Sequence, residues 1–181
     1  LWSIANIYLK DPTSWNEILK YNRLPASDPS VALPGMVLRV PVNMIKEKLR
    51  AARLIYFLNE VLFRKSETPD WKSVALNMDL YQDDSVRTTA QAQARVRFYG
   101  GETLNIYSDS LAVLRPPRKQ TDLELLKGEV RGTHSRVLTA SARITPKTND
   151  TDFSARVKED LTTLVQVYKG RADVEAQGKT V

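Results

Sequence analysis

The chain has 181 residues, of which 42% are hydrophobic and 27% charged, with a formal net charge of +6 and no cysteine. This length holds one domain of ordinary size plus a small one, and the apolar content is enough for packed cores, which excludes wholesale disorder. The absence of cysteine excludes disulfides and thiolate metal sites, and no run approaches the roughly 20 apolar residues of a membrane-crossing helix.

Leu1 opens the chain without an initiating Met, in the middle of a patterned segment, as expected of a piece of a longer protein. Trp2, Ile4, Ala5, Tyr8 and Leu9 follow the three-to-four spacing of an amphipathic helix, which Asp11-Pro12 stops. Thr13 and Ser14 are expected to cap a second helix carrying Trp15, Ile18, Leu19 and Asn22, with Trp2 and Trp15 at core positions. A Pro/Ser/Asp-rich loop follows. The Pro34-Gly35 turn then delivers Met36 to Val42, predicted as a strand.

The basic stretch 44–52 reads as a linker, as a short helix or an extended segment. Beyond it the texture changes. Leu54 to Leu58 and Val61 to Phe63 are short, aromatic and branched, hence strands, and the pattern recurs about every ten residues. Val74-Ala75-Leu76 is a further expected strand. Ala92 to Tyr99 alternates apolar residues against Gln93, Arg95 and Arg97, which predicts one dry and one wet face, and Gly100-Gly101 predicts a tight hairpin with positive φ at both glycines. Three segments repeat one template, with Asn59, Gly128 or Gly170 set between apolar pairs where a strand needs a left-handed bend. The domain reading is 1–43, linker 44–52, and 53–181.

Little in the sequence points to catalysis. His134, the single histidine, stands beside Ser135 in a polar segment, and the carboxylates Asp83-Asp84, Asp150 with Asp152, and Glu159-Asp160 fall where turns are expected. No phosphate-binding glycine loop or calcium-loop spacing is present, so the reading is a non-enzyme with no cofactor and no metal. Basic pairs such as Arg64-Lys65 and Arg118-Lys119 lie among acids and lack a nucleic-acid fold signature. They read as a solvated surface compatible with an anionic wall polymer or an inner leaflet.

Two family resemblances organise these observations. The order of anchors from Leu1-Trp2-Ser3-Ile4-Ala5 through Asp11-Pro12, Trp15, Asn22, Asp28-Pro29 and Pro34-Gly35 to Leu38-Arg39-Val40-Pro41 resembles a LysM domain lacking its first strand. That resemblance implies binding of N-acetylglucosamine-containing peptidoglycan through Asn22, Arg23, Leu24, Pro25, Ser27 and Asp28. Residues 53–181 resemble a FecR domain, through Asp84-Ser85-Val86-Arg87-Thr88, Ala94-Arg95-Val96-Arg97-Phe98 with Gly101, Ser110 to Leu114, Leu126-Lys127-Gly128-Glu129-Val130, Asp152-Phe153 and Thr163 to Gly170. Thr139-Ala140 and Asn149-Asp150-Thr151 depart from that family's pattern. The expected fold is mainly β: a small α+β LysM-like module of helix, helix and strand, then a jelly-roll-like antiparallel β-sandwich. The expected role is glycan binding in the periplasm or cell envelope of a bacterium, with the second domain as a sensing or protein-docking scaffold. The alternative is the periplasmic relay domain of a FecR-type transmembrane regulator.

Overall fold

The computed structural model describes residues 1–24, 35–46, 50–66, 68–115 and 121–180. The chain is mainly β and divides into two compact units, Leu1–Leu49 and Arg50–Val181.

In the first unit, helix α1 spans Trp2–Tyr8 and a 3-10 helix spans Pro12–Tyr21, with a kink at Ser14. Leu1, Ala5 and Leu9, four residues apart, form the buried stripe of the first segment; Ala5 and Leu9 meet Ile18, and Trp15, Val40 and Met44 close over them. Trp2, expected in the core, is exposed instead, because it lies off that stripe. The second helix is capped by Asp11, not by Thr13 or Ser14: its carboxylate accepts from the Thr13 amide at 2.9 Å, the Thr13 hydroxyl at 2.6 Å and the Ser14 hydroxyl at 3.1 Å. These bonds, the Thr13 hydroxyl first, hold the Asp11 carboxyl below the usual aspartate range.

Met36 to Val42 is not a strand. Residues 36–41 lie without regular structure and a short 3-10 turn, Val42–Met44, follows. A lone strand leaves its amides unpaired, and here other groups take them. The Asn22 side chain brackets the Arg39 peptide, accepting from its N–H at 2.6 Å and donating to its carbonyl at 2.7 Å. A single antiparallel bridge between Leu9 and Ile45 ties the end of the segment back to α1.

The second unit contains, among the described residues, fifteen strands. In chain order they are β1 (Arg50–Leu58), β2 (Val61–Arg64), β3 (Lys72–Ser73), β4 (Asp79–Tyr81), β5 (Ser85–Thr88), β6 (Gln93–Phe98), β7 (Thr103–Ile106) and β8 (Leu111–Leu114). They continue with β9 (Leu123–Thr133), β10 (Val137–Leu138), β11 (Arg143–Pro146), β12 (Asp152–Val157), β13 (Thr163–Lys169), β14 (Ala172–Ala176) and β15 (Lys179–Thr180). Residues 50–52, expected in the linker, already belong to β1, where Ala51 and Ala52 are buried. Val74 to Leu76 lies outside a strand, leading into a turn at Asn77, whose φ is +62°.

Pairing sorts the strands into two sheets. One runs β4-β1-β6-β7-β9-β12-β13, antiparallel throughout. The other runs β3-β2-β5-β8-β9-β10-β11-β14-β15, with β9 and β10 parallel. The long strand β9 belongs to both. One apolar cluster draws Leu54, Val96, Leu104, Ile106, Val130 and Phe153 from the first sheet, and Val86, Leu114, Leu123, Leu125 and Ile144 from the second. On β6 the alternation is as expected, with Ala94, Val96 and Phe98 inward and Gln93, Arg95 and Arg97 outward.

The three template bends carry the chain between the sheets. Asn59 joins β1 to β2, Gly128 bends β9, and Gly170 joins β13 to β14, with φ of +57°, +87° and +74°. The Gly100-Gly101 hairpin differs from the expectation: only Gly101 has positive φ. The Gly101 amide donates to the Phe98 carbonyl at 3.0 Å, and the Phe98 amide to the Glu102 carbonyl at 2.8 Å, a three-residue loop with its last residue left-handed. Lys158 to Thr162 repeats these bonds with Leu161, φ +64°, at the glycine position.

A Cβ on Gly128 would stand 2.5 Å from Ser110 Cα, and closer still to its hydroxyl, whereas one on Gly101 meets open space. Gly128→Ala therefore combines left-handed strain with a backbone clash. It should lower stability by more than about 3 kcal/mol, against about 1 kcal/mol for Gly101→Ala, in urea unfolding followed by circular dichroism. Equal losses would refute the clash.

Candidate functional site

The first unit holds a groove of about 530 Å³ lined by Leu19 to Arg23, Met36, Val37 and Arg39. Two of the expected glycan-contact residues, Asn22 and Arg23, line it; Leu24 follows directly, and Pro25, Ser27 and Asp28 lie outside the described residues. Asn22 ends the 3-10 helix. Besides its two bonds to Arg39, its amide donates to the Ile18 carbonyl at 2.7 Å. Its side chain thus closes the helix and fixes one wall of the groove, which explains an Asn at this position without a ligand. Tyr21 and Val37 are exposed at the rim. Lys20 bonds Glu17 at 2.7 Å, and that hydrogen bond, then the charge of Glu17, raises the Lys20 pKa.

In the second unit, residues of the Asp84-Ser85-Val86-Arg87-Thr88 segment perform structural work. Asp84 is 3% exposed and its two carboxylate oxygens accept from the amides of Ser66 at 3.2 Å and Tyr81 at 2.9 Å. Burial pushes its carboxyl above the ordinary aspartate range, the amide bonds opposing. The Thr88 hydroxyl donates to the Tyr107 carbonyl at 2.5 Å and accepts from the Ser110 amide at 3.0 Å. Ser110, fully buried, accepts from the Glu129 amide at 2.9 Å, beside the Gly128 bend. These side chains satisfy backbone groups where β5, β8 and β9 meet.

A larger groove of about 720 Å³ lies along that bend, lined among others by Tyr107, Leu126, Lys127, Arg156, Lys158 and Leu161. Leu161 is 58% exposed and left-handed, and Leu126 is 44% exposed. A bulky residue held in strained backbone and presented to solvent is a feature that clusters at binding sites. Nothing in the sequence pattern singled out Leu161; its signal is the match of Lys158 to Thr162 with the glycine-containing hairpin.

The groups weighed for catalysis are engaged separately. The His134 ring Nδ1 lies 3.3 Å from the Thr148 carbonyl, and the Ser135 hydroxyl donates to the Thr133 carbonyl at 3.3 Å. Asp83 pairs with Arg115, Asp152 with Arg131 at 2.7 Å, and Asp150 with Lys169 at 3.5 Å. Asp160 caps its hairpin through the Thr162 hydroxyl and amide, bonds that lower its pKa, the hydroxyl contributing most.

Replacing Asp84 by Asn retains the shape but faces an NH2 group with one of the two amide donors, a loss of about 1–3 kcal/mol. Because the folded chain holds the Asp84 proton more tightly than the unfolded chain, the carboxyl contributes most at pH below the ordinary value of 3.8 and less as pH rises through its raised folded value. The gap in urea midpoint between wild type and Asp84→Asn should be widest at acid pH and narrow toward neutrality. A gap that widens with pH would contradict this origin.

Comparison with known proteins agrees with the strand unit. Neither the curated proteins nor the solved structures yield a match to the chain. Residues 84–173, running from the buried aspartate in front of β5 to the start of β14, match the family described as FecR protein, so this stretch of the second unit is similar to a FecR domain.

Proposed function

We propose that the chain is a non-catalytic protein of the bacterial cell envelope, periplasmic in location, in which the FecR domain is a sensing or protein-docking scaffold and the small helical unit holds peptidoglycan. The FecR match over 84–173 carries the first half of this reading. The groove along Gly128, lined by the solvent-presented Leu126 and Leu161 together with Lys127 and Lys158, is the natural docking place on the scaffold. On this reading the two sheets are the layers of a jelly-roll-like sandwich.

The second half is supported by the LysM-like order of anchors in residues 1–43 and by a groove bordered by Asn22 and Arg23. Within it Asn22 is the builder of the wall. Tyr21, Arg23 and Val37 are the groups left to meet an N-acetylglucosamine unit, by stacking, hydrogen bonding and apolar contact respectively. A second reading, the relay domain of a FecR-type transmembrane regulator, is favoured by the same family match.

Co-sedimentation with purified peptidoglycan sacculi separates the two. The full chain should pellet with sacculi, and Tyr21→Ala with Arg23→Ala should weaken retention about tenfold while leaving the melting temperature unchanged. A chain that stays in the supernatant would remove the glycan half and leave the relay.

A further inference from the structure

Each of the two sheets has two edges, and three of these four edges are formed by very short strands. At one end of the first sheet β4 has three residues, and at the ends of the second β3 and β15 have two each. Short edges present few unpaired amides to another chain. The fourth edge, β13, runs for seven residues, Thr163–Lys169, and pairs among the described residues with β12 alone. From Thr163 to Tyr168 it holds no charge, no glycine and no proline, and Leu164, Val167 and Tyr168 are exposed. Its one irregularity, at Asp152/Phe153 of β12, falls opposite the end of the strand and leaves Thr163 to Val167 in regular register.

The hydrogen-bond phase of the β12–β13 hairpin fixes which groups face outward. The Lys158 amide donates to the Thr162 carbonyl at 2.9 Å, so these two residues form a bonded pair. Bonded and non-bonded pairs alternate along an antiparallel ladder. By register, Leu164 and Gln166 then bond to Arg156 and Ser154, whereas Thr163, Val165 and Val167 turn their amides and carbonyls to the open edge. The side chains of these three stand on the core side, opposite the buried Val157, Ala155 and Phe153. Val165 packs against the core, and Val167 remains 43% exposed. The structure complementary to such a row is a second extended strand.

We propose that β13 pairs antiparallel with β13 of a second copy of this chain, about a two-fold axis at Val165, so that the first sheets of two molecules join edge to edge. An axis there sets Val165 against Val165 and Thr163 against Val167, and every outward-facing amide and carbonyl of the three finds its counterpart. Leu164 stands opposite Gln166, so no like charges meet inside the ladder. The charges flanking the strand select the second copy and its direction. Glu159 and Asp160 precede β13 and Lys169 closes it, so antiparallel pairing brings the acidic end of each copy beside the basic end of the other. Lys169 is available for this, being 69% exposed and 3.5 Å from Asp150 in its own chain, while Lys158 stands on the β12 side of the turn. A contact of two strands falls at the small end of interface sizes, so the pairing is reversible, with a Kd of about 10–100 μM.

Sedimentation equilibrium of the full chain from about 1 to about 300 μM tests the pairing, and the wild type should pass reversibly from monomer to dimer over that range. Val167→Pro removes an outward amide and no bond to β12, a change that edge strands tolerate, and should weaken dimerisation about tenfold or more. Lys169→Glu sets acid beside Glu159 and Asp160 and should weaken it about threefold, and Lys169→Glu with Glu159→Lys should recover the loss. Melting followed by circular dichroism checks that each variant is folded; should Val167→Pro melt early, the charge exchange carries the test. Tyr21→Ala with Arg23→Ala dimerises as the wild type does, so this result and that of the sacculus experiment are independent. A chain that stays monomeric throughout, a dimer as tight in a folded Val167→Pro variant, or a charge exchange that recovers nothing overturns the assignment.

Discussion

The second unit depends on one backbone constraint: β9 passes from one sheet to the other at a left-handed residue, and β1–β2 and β13–β14 make the same crossing at left-handed residues. In β9 the bend falls at Gly128, against the buried Ser110, whose hydroxyl accepts the amide of Glu129 on the far side of the bend. A side chain there would displace the very group that satisfies the turned backbone. The bends at Asn59 and Gly170 repeat the device, and Gly170 is likewise closed in, by Thr148 and Thr151. Because the chain runs from one sheet into the other at these bends, one apolar cluster draws on strands of both.

The features legible in the sequence are those written by local chemistry. Alternation on β6 requires only a pleat and an apolar side, and the bends require only a residue tolerant of positive φ between apolar pairs. Features set by distant partners were not legible. Val74 to Leu76 has strand composition, yet the strand stops at Ser73 and the chain instead makes a turn at Asn77, whose amide donates to the Leu54 carbonyl at 2.8 Å. Met36 to Val42 looks like a strand because it is an apolar, branched segment delivered by the Pro34-Gly35 turn, but a strand needs a second strand, and in its place Asn22 supplies one peptide's worth of bonding. Leu161 shows the converse: a hairpin built like the glycine one at 98–102 accepts a leucine, so its left-handed backbone is invisible to any reading that looks for glycine.

The same distinction separates fold from function in the FecR segments. Asp84, Thr88 and Ser110 look like candidate site residues because they are polar and clustered. Their oxygens are spent on backbone amides and carbonyls at strand junctions, and Asp84 tolerates burial because it accepts two amides there. Asn22 belongs with them in the smaller unit. A polar side chain that satisfies buried backbone groups is required by the fold with or without a ligand, and its presence says little about what the protein binds.

Outward-facing residues answer a different question. Val96 and Phe98 are explained by the core, and Arg95 beside them by its cross-strand bond to Asn105 and its stacking on Tyr56. Placing two guanidinium groups on alternate positions of one strand, with a third directly across from the second, works against the sheet's own electrostatics. Asp79 relieves Arg53, Asp152 relieves Arg131 and Glu129 relieves Arg156, so acids stand on this face wherever a pair is wanted. Arg95 is held instead by the Asn105 side chain and the Tyr56 ring.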